Sequence, residues 1–217
     1  MGRAILSGRA LVAGGDGGGA SVPTLADVIA ESTTTHTSSS FTGTNGNGTA
    51  TAASLTVAIA ASTTTASWSG QPRLVASSVV DDPYNFEASA RIAAATGVTS
   101  NTYAALALRK SDGTAWLLIQ ANGSGVVTLY GSGGLLATGP TIALDGTTRL
   151  KITVRDGFIT AWTKKGTDPW TPFYRGSPAF PTGPEDYTDL TLALYQAVGA
   201  GGTVTVQWAD VSTVALA

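Results

Sequence analysis

Cysteine is absent from the 217-residue chain, so no disulfide staples the fold and no thiolate serves as nucleophile or zinc ligand. Histidine occurs once, at His36, in a Ser/Thr-rich stretch without an acidic neighbour. One imidazole without sulfur ligands does not build a usual zinc site, and a Ser-His-Asp triad would rest on His36 alone. Charge is also scarce. Charged residues make up 12% of the chain, about half the roughly 25% of ordinary globular proteins. The formal net charge of −2 and the lack of any basic run leave no electrostatic footprint for nucleic acid. No apolar run approaches the ~20 residues of a membrane helix. Glycines interrupt the apolar stretch after Arg3 before a signal-peptide core forms, and Leu6 stands where a myristoylation motif needs Ser or Thr. The expectation is a protein made and folded in a cytoplasm, with no cofactor and no membrane or nucleic-acid partner.

What replaces charge is Gly, Ala, Ser and Thr, around a hydrophobic fraction of 43% that suffices for a real core. Such a surface suits a protein that buries much of itself in an assembly.

Residues 1–32 read as an anchoring arm. Gly2-Arg3-Ala4-Ile5-Leu6-Ser7 is nearly repeated as Gly8-Arg9-Ala10-Leu11-Val12-Ala13, and Gly14-Gly15-Asp16-Gly17-Gly18-Gly19 follows as a hinge. Arg3, Ile5, Leu6, Arg9, Leu11 and Val12 are the candidate docking residues, the alternative being a plain disordered tail. Pro23 to Ala30 has room for a turn or two of helix.

Residues 33–217 read as one all-β domain. Residues 31–54, rich in Ser, Thr, Gly and Asn and containing Asn45-Gly46-Asn47-Gly48, supply edge strands and turns. Short runs bounded by turn residues then follow one another: Leu55–Ile59, Phe86–Ile92, Tyr103–Arg109, Trp116–Ile119, Val126–Tyr130, Leu150–Arg155, Phe158–Trp162, Leu190–Tyr195 and Val204–Trp208. Strands of this length and spacing, without a helical stripe between them, indicate an antiparallel sandwich or barrel.

One hairpin can be read face by face. A two-residue turn at Asp156-Gly157 pairs Arg155 with Phe158, Val154 with Ile159, Thr153 with Thr160, Ile152 with Ala161 and Lys151 with Trp162. Ile152, Val154, Ile159 and Ala161 then face the core. Lys151, Arg155, Phe158 and Trp162 share the other face. That face suits a sugar, whose pyranose ring stacks on flat aromatics; it equally suits a protein interface, with Lys151 and Arg155 as cation–π partners. A register shift of one residue would exchange the two faces.

Hydrolysis of a glycosidic bond needs two carboxylates at a set separation. The acidic groups fall in two places, Asp81, Asp82 and Glu87, and Glu185, Asp186 and Asp189. Asp81-Asp82-Pro83 reads as turn chemistry. A calcium role for Asp81, Asp82 or Asp186 lacks any EF-hand-like spacing. The sequons at Asn47 and Asn122 read as turns as well.

Phe86-Glu87-Ala88-Ser89-Ala90-Arg91-Ile92, Ala104 to Arg109 and Asp112-Gly113-Thr114-Ala115-Trp116 resemble the strands of concanavalin A-like (laminin G-like) jelly rolls. Leu150 to Gly157 with Trp170-Thr171, and Trp208-Ala209-Asp210-Val211, resemble the same family's final strands. The resemblance covers 33–217 and implies a jelly-roll sandwich. The Glu-x-Asp-x-Glu strand of its glucanase branch is missing, which removes hydrolysis from what the family implies and points to a non-enzyme. The metal loop of legume lectins is not recognisable either. An arm joined to such a sandwich is similar to small phage tail and capsid decoration proteins. That resemblance implies a virion structural protein, assembled in a host cytoplasm, held by its arm to other capsid or tail proteins and oligomeric, for instance as a trimer. The alternative is an adhesin module that binds host-surface glycan.

Overall fold

Alternation of apolar and polar residues decides the architecture, because a strand sends successive side chains to opposite faces. The structure is a computed structural model and describes residues 32–60, 70–110, 116–131, 133–156, 158–176, 187–196 and 203–216. The docking residues Arg3, Ile5, Leu6, Arg9, Leu11 and Val12, and the helical turn expected at 23–30, lie outside them.

Fifteen strands are described: β1 (Ser32–His36), β2 (Thr42–Thr44), β3 (Gly48–Thr51), β4 (Thr56–Ile59), β5 (Arg73–Ala76), β6 (Phe86–Thr96), β7 (Thr102–Lys110), β8 (Trp116–Asn122), β9 (Val126–Gly131), β10 (Gly134–Thr141), β11 (Thr148–Arg155), β12 (Phe158–Lys165), β13 (Thr171–Gly176), β14 (Tyr187–Gln196) and β15 (Val204–Ala215). Two single turns of 3-10 helix accompany them, and among the described residues there is no α-helix. One sheet runs β13-β12-β11-β6-β15-β4-β3, with β1 added on β15; the other runs β10-β9-β8-β7-β14-β5-β2. Every pairing is antiparallel. The fold is an antiparallel β-sandwich, as the spacing of the runs predicts.

The core lies between the sheets. On β6, Phe86, Ala88, Ala90 and Ile92 point inward and are buried, while Glu87, Ser89 and Arg91 point out. β7 departs from this pattern. Ala104, Leu106 and Leu108 belong to the main core, yet Ala105 and Ala107 on its other face are fully buried too, in a second small cluster with Leu118 and Ala193. A strand covered on both faces reads as a continuous apolar run, and Ala104 to Leu108 is one.

Three strands escape the sequence reading: β5, β10 and β13. β10 carries Gly139 and Pro140, and β13 carries Pro172. Both are edge strands, the position in a sheet where proline's missing N–H is tolerated. β15 runs well past Trp208, through a bulge at which Asp210 takes a positive φ of 48°.

Candidate functional site

The Asp156-Gly157 hairpin has the register expected from the sequence. Arg155 pairs with Phe158, Val154 with Ile159, Thr153 with Thr160, Ile152 with Ala161 and Lys151 with Trp162. Asp156 holds a positive φ of 50°. Its backbone N–H donates to Asn85 Oδ1 at 3.0 Å, tying the tip to the loop ahead of β6. Ile152, Val154, Ile159 and Ala161 are fully buried, so Lys151, Arg155, Phe158 and Trp162 all lie on the outward face.

On that face Lys151 is not a free cation. Its ammonium lies 5.0 Å from the centroid of the Trp162 ring and 4.6 Å from that of Trp170, and it pairs with Glu87 Oε2 at 3.0 Å. Only 11% of its side chain is exposed. The Trp162 indole N–H donates to Thr153 Oγ1 at 3.0 Å, and that hydroxyl donates to Glu87 Oε2 at 3.3 Å. A closed circuit therefore fixes the Trp162 indole, and Trp170 joins it through Lys151. Strand β6 supplies Glu87, β11 supplies Lys151 and Thr153, β12 supplies Trp162, and the approach to β13 supplies Trp170. Phe158 stands clear of this circuit at the hairpin tip, 53% exposed, with Arg155 opposite it.

Farther along the same face, Arg149 lies between Arg91 on β6 and Lys164 on β12. Asp210, on the β15 bulge, accepts from Arg91 Nε at 2.8 Å and from Arg149 at 2.6 Å. The Arg91 bond is the main reason its carboxyl titrates below the ordinary range, with Arg149 adding to the effect. Beyond Lys164 the face meets a cleft of about 240 Å³ between the 164–171 turn and residues 140–143. Lys165, which lines this cleft, pairs with Asp145 at 3.1 Å. The Asp145 carboxyl is held down at about 2, chiefly by the Thr147 hydroxyl and then by Lys165.

The remaining candidates have structural roles. Asp82 accepts from the Tyr84 N–H at 2.9 Å and from Asn85 Nδ2 at 3.1 Å, the turn chemistry expected of Asp81-Asp82-Pro83. Asp189 is buried and accepts from the Ser78 N–H at 3.0 Å, and Glu185 and Asp186 lie outside the described residues. Asn122 Oδ1 accepts from the Ser124 and Val126 N–H groups, a turn rather than an open acceptor. His36 is buried at the end of β1, where Nε2 meets Thr213 Oγ1 at 2.8 Å and its ring stands edge-on to Phe41. Burial lowers its pKa. Among the described residues, no three carboxylate or imidazole groups converge on one point.

Two features of this face were missed in the sequence. Glu87 reaches the hairpin only through the β6–β11 register, which sets Glu87 opposite Thr153. Trp170 arrives from a loop with no pairing rule. The Arg149–Lys164 contact was within reach, since extending the hairpin pairing two steps past Lys151–Trp162 gives it.

No protein-family profile matches the sequence, and no curated protein matches it. Solved structures do match the fold. A Crh5 transglycosylase in complex with NAG superposes with a TM-score of 0.55 at 12% identity, over 86% of this chain and 85% of that one. A prokaryotic β-1,3-1,4-glucanase (lichenase) from a mouse hindgut metagenome gives 0.54 at 10% identity, over 85% of this chain and 99% of the enzyme. A bifunctional GH43-CE protein of Bacteroides eggerthii gives 0.52 at 8% identity, where this chain spans only 22% of the larger protein. At such identities the likeness is one of fold alone, and that fold is the concanavalin A-like jelly-roll sandwich.

Proposed function

We propose that the domain is a non-catalytic glycan-binding module whose platform is the outward face of β11, β12 and the approach to β13. The observation that carries this reading is the Lys151 clip. It gathers two half-exposed indoles, Trp162 and Trp170, on the outward sheet face, 5.0 and 4.6 Å from one ammonium. Aromatic rings fixed before a ligand arrives lose little entropy on binding, which favours stacking against a sugar. Phe158 and Arg155 extend the platform to the hairpin tip. The carboxylates on this face are engaged by cations, Glu87 by Lys151 and Asp210 by Arg91 and Arg149, which supports a binding rather than a catalytic reading. The same sandwich carries glycan-directed chemistry in the glucanase and the transglycosylase, which makes sugars the first ligands to test. A glycan array read with wild type and Trp162→Ala tests the proposal. Binding by wild type and at least about tenfold weaker binding by the variant are expected; an array on which neither protein binds any sugar overturns it.

A second reading, compatible with the first, is display on a phage particle as a capsid decoration or minor tail protein, oligomeric and anchored by residues 1–32. The near-repeat of Gly2–Ser7 in Gly8–Ala13, closed by the Gly14–Gly19 hinge, favours it. Removing residues 1–20 is then expected to abolish incorporation into particles while the sandwich still folds. Undiminished incorporation of the truncated protein refutes that reading.

A further inference from the structure

Six of the chain's twelve Lys and Arg residues stand on one face of one sheet: Arg91, Arg149, Lys151, Arg155, Lys164 and Arg175. Two carboxylates, Glu87 and Asp210, accompany them. The protein as a whole is acidic, with a formal net charge of −2, so this excess is a local feature rather than an average one. Arg91, Arg149 and Lys164 lie side by side across three adjacent strands, and the single carboxylate of Asp210 pairs with the two arginines alone. Like charges directly opposite one another destabilise a sheet, so this row holds an unmet demand for negative charge. Arg155, Lys164 and Arg175 form no ion pair among the described residues.

The three unpaired cations have a useful arrangement. Arg155 is opposite Phe158 at the hairpin tip, Arg175 is opposite Thr160, and Lys164 follows Phe158 by six positions on β12. At about 3.4 Å per residue they spread over roughly 20 Å. The clipped indoles of Trp162 and Trp170 lie within that span. Cations placed around stacking surfaces over such a length fit a chain of sugar rings that carries charge, not a single sugar.

We infer that this face binds a negatively charged polysaccharide, with carboxylate or sulfate groups on Arg155, Arg175 and Lys164 and sugar rings on the indoles between them. The inference rests on the glycan-binding reading above and adds the class of ligand. Nucleic acid is the other polyanion that could meet these cations; the polysaccharide is favoured because the indoles between them form the sugar-stacking platform proposed above, and the test below separates the two.

The test uses the full chain and paired polymers that differ only in charge: polygalacturonate against its methyl ester, dextran sulfate against dextran, and a single-stranded polynucleotide. Binding is followed by affinity electrophoresis or calorimetry at 50 and 500 mM NaCl. Retention by at least one charged polysaccharide is expected, with at least about tenfold weaker binding by its uncharged partner and by wild type at high salt. Which charged polymer binds tells carboxylate from sulfate. Arg155→Gln/Arg175→Gln is expected to lose about tenfold while its melting temperature stays that of wild type, because both side chains are exposed and unpaired. Equal binding to the charged and uncharged partners overturns the inference and leaves the glycan reading standing. Retention of the polynucleotide alone overturns the inference, and no retention of any polysaccharide overturns both.

Discussion

Replacing Lys151 by methionine tests whether the indole clip exists in solution. Methionine keeps most of the aliphatic stem that packs between Trp162 and Trp170 and removes only the charge. Three interactions disappear with it. Two are cation–π contacts, at 5.0 and 4.6 Å, by an ammonium whose side chain is only 11% exposed. At this partial desolvation each contributes about 1 kcal/mol. The third is the ion pair with Glu87, itself 26% exposed, which adds roughly 0.5–1 kcal/mol. The thioether regains about 0.5 kcal/mol against the two rings, leaving a net loss of about 2 kcal/mol. For a domain of this size that lowers the melting temperature by about 4–8 °C. The assay is urea unfolding followed by tryptophan fluorescence, with an unchanged m-value required for a pure stability effect. Lys151→Arg, which keeps a cation able to stack, is expected to lose less than half as much. A double-mutant cycle with Glu87→Gln isolates the ion pair at roughly 0.5–1 kcal/mol of coupling. If Lys151→Met lies within about 0.5 kcal/mol of wild type, as surface substitutions do, the clip is refuted, and with it the preorganised platform.

Ile152→Ala, at a fully buried site, is expected to lose about 2–5 kcal/mol, whereas Thr160→Ala on the opposite face stays within about 0.5 kcal/mol; equal losses in chemical denaturation would mean the hairpin register is wrong. Asn122→Ala removes two N–H acceptor contacts and the donation of Nδ2 to Ser100 O, and is expected to lower stability by about 1–3 kcal/mol in the same assay. His36 predicts a pH dependence. Its folded pKa is depressed by burial, so the unfolded chain binds the proton more readily. The stabilisation is complete above the unfolded value near 6.5 and is lost as pH falls from there toward the folded pKa. Denaturation midpoints are therefore expected to fall between pH 7.5 and 5.5 in wild type, and His36→Gln is expected to remove that component of the slope; an unchanged slope in the variant counts against it.

Much of the fold was legible because period-two alternation needs no knowledge of the partner strand. β4, β9, β11 and β12 alternate buried and half-exposed residues along most of their length, so their runs announce themselves. β6 was read only to Ile92, since Ala93-Ala94-Ala95 has poor strand propensity and is held by pairing with β15 instead. β10 and β13 were hidden by glycine and proline, residues that signal turns locally and are tolerated at a sheet edge globally. The buried alanines on the outer side of β7 were unreadable for a different reason. Alternation assumes one wet face, and Ala105 and Ala107 have none.

The site divides along the same line between local and non-local order. A two-residue turn propagates its register outward, so Asp156-Gly157 alone places Lys151 beside Trp162 and Arg149 beside Lys164. Glu87 and Arg91 come from far earlier in the numbering than their partners Thr153 and Arg149, and only the pairing of β6 with β11 brings them in. That pairing converts a basic hairpin into a site with two distinct regions. Near the tip, Glu87 neutralises Lys151 and turns it into a scaffold for the indoles. At the far end, Arg91 adds a cation where Arg149 and Lys164 already stand, and Asp210 balances only part of the sum. In a chain with so few charges, neutralising Lys151 while leaving Arg155 and Arg175 on the tip side and Lys164 on the far side unpaired separates two tasks. The clipped centre can stack and the cations around it can attract, so loss of the clip should weaken binding of charged and uncharged sugars alike, while loss of the free cations should weaken only the charged.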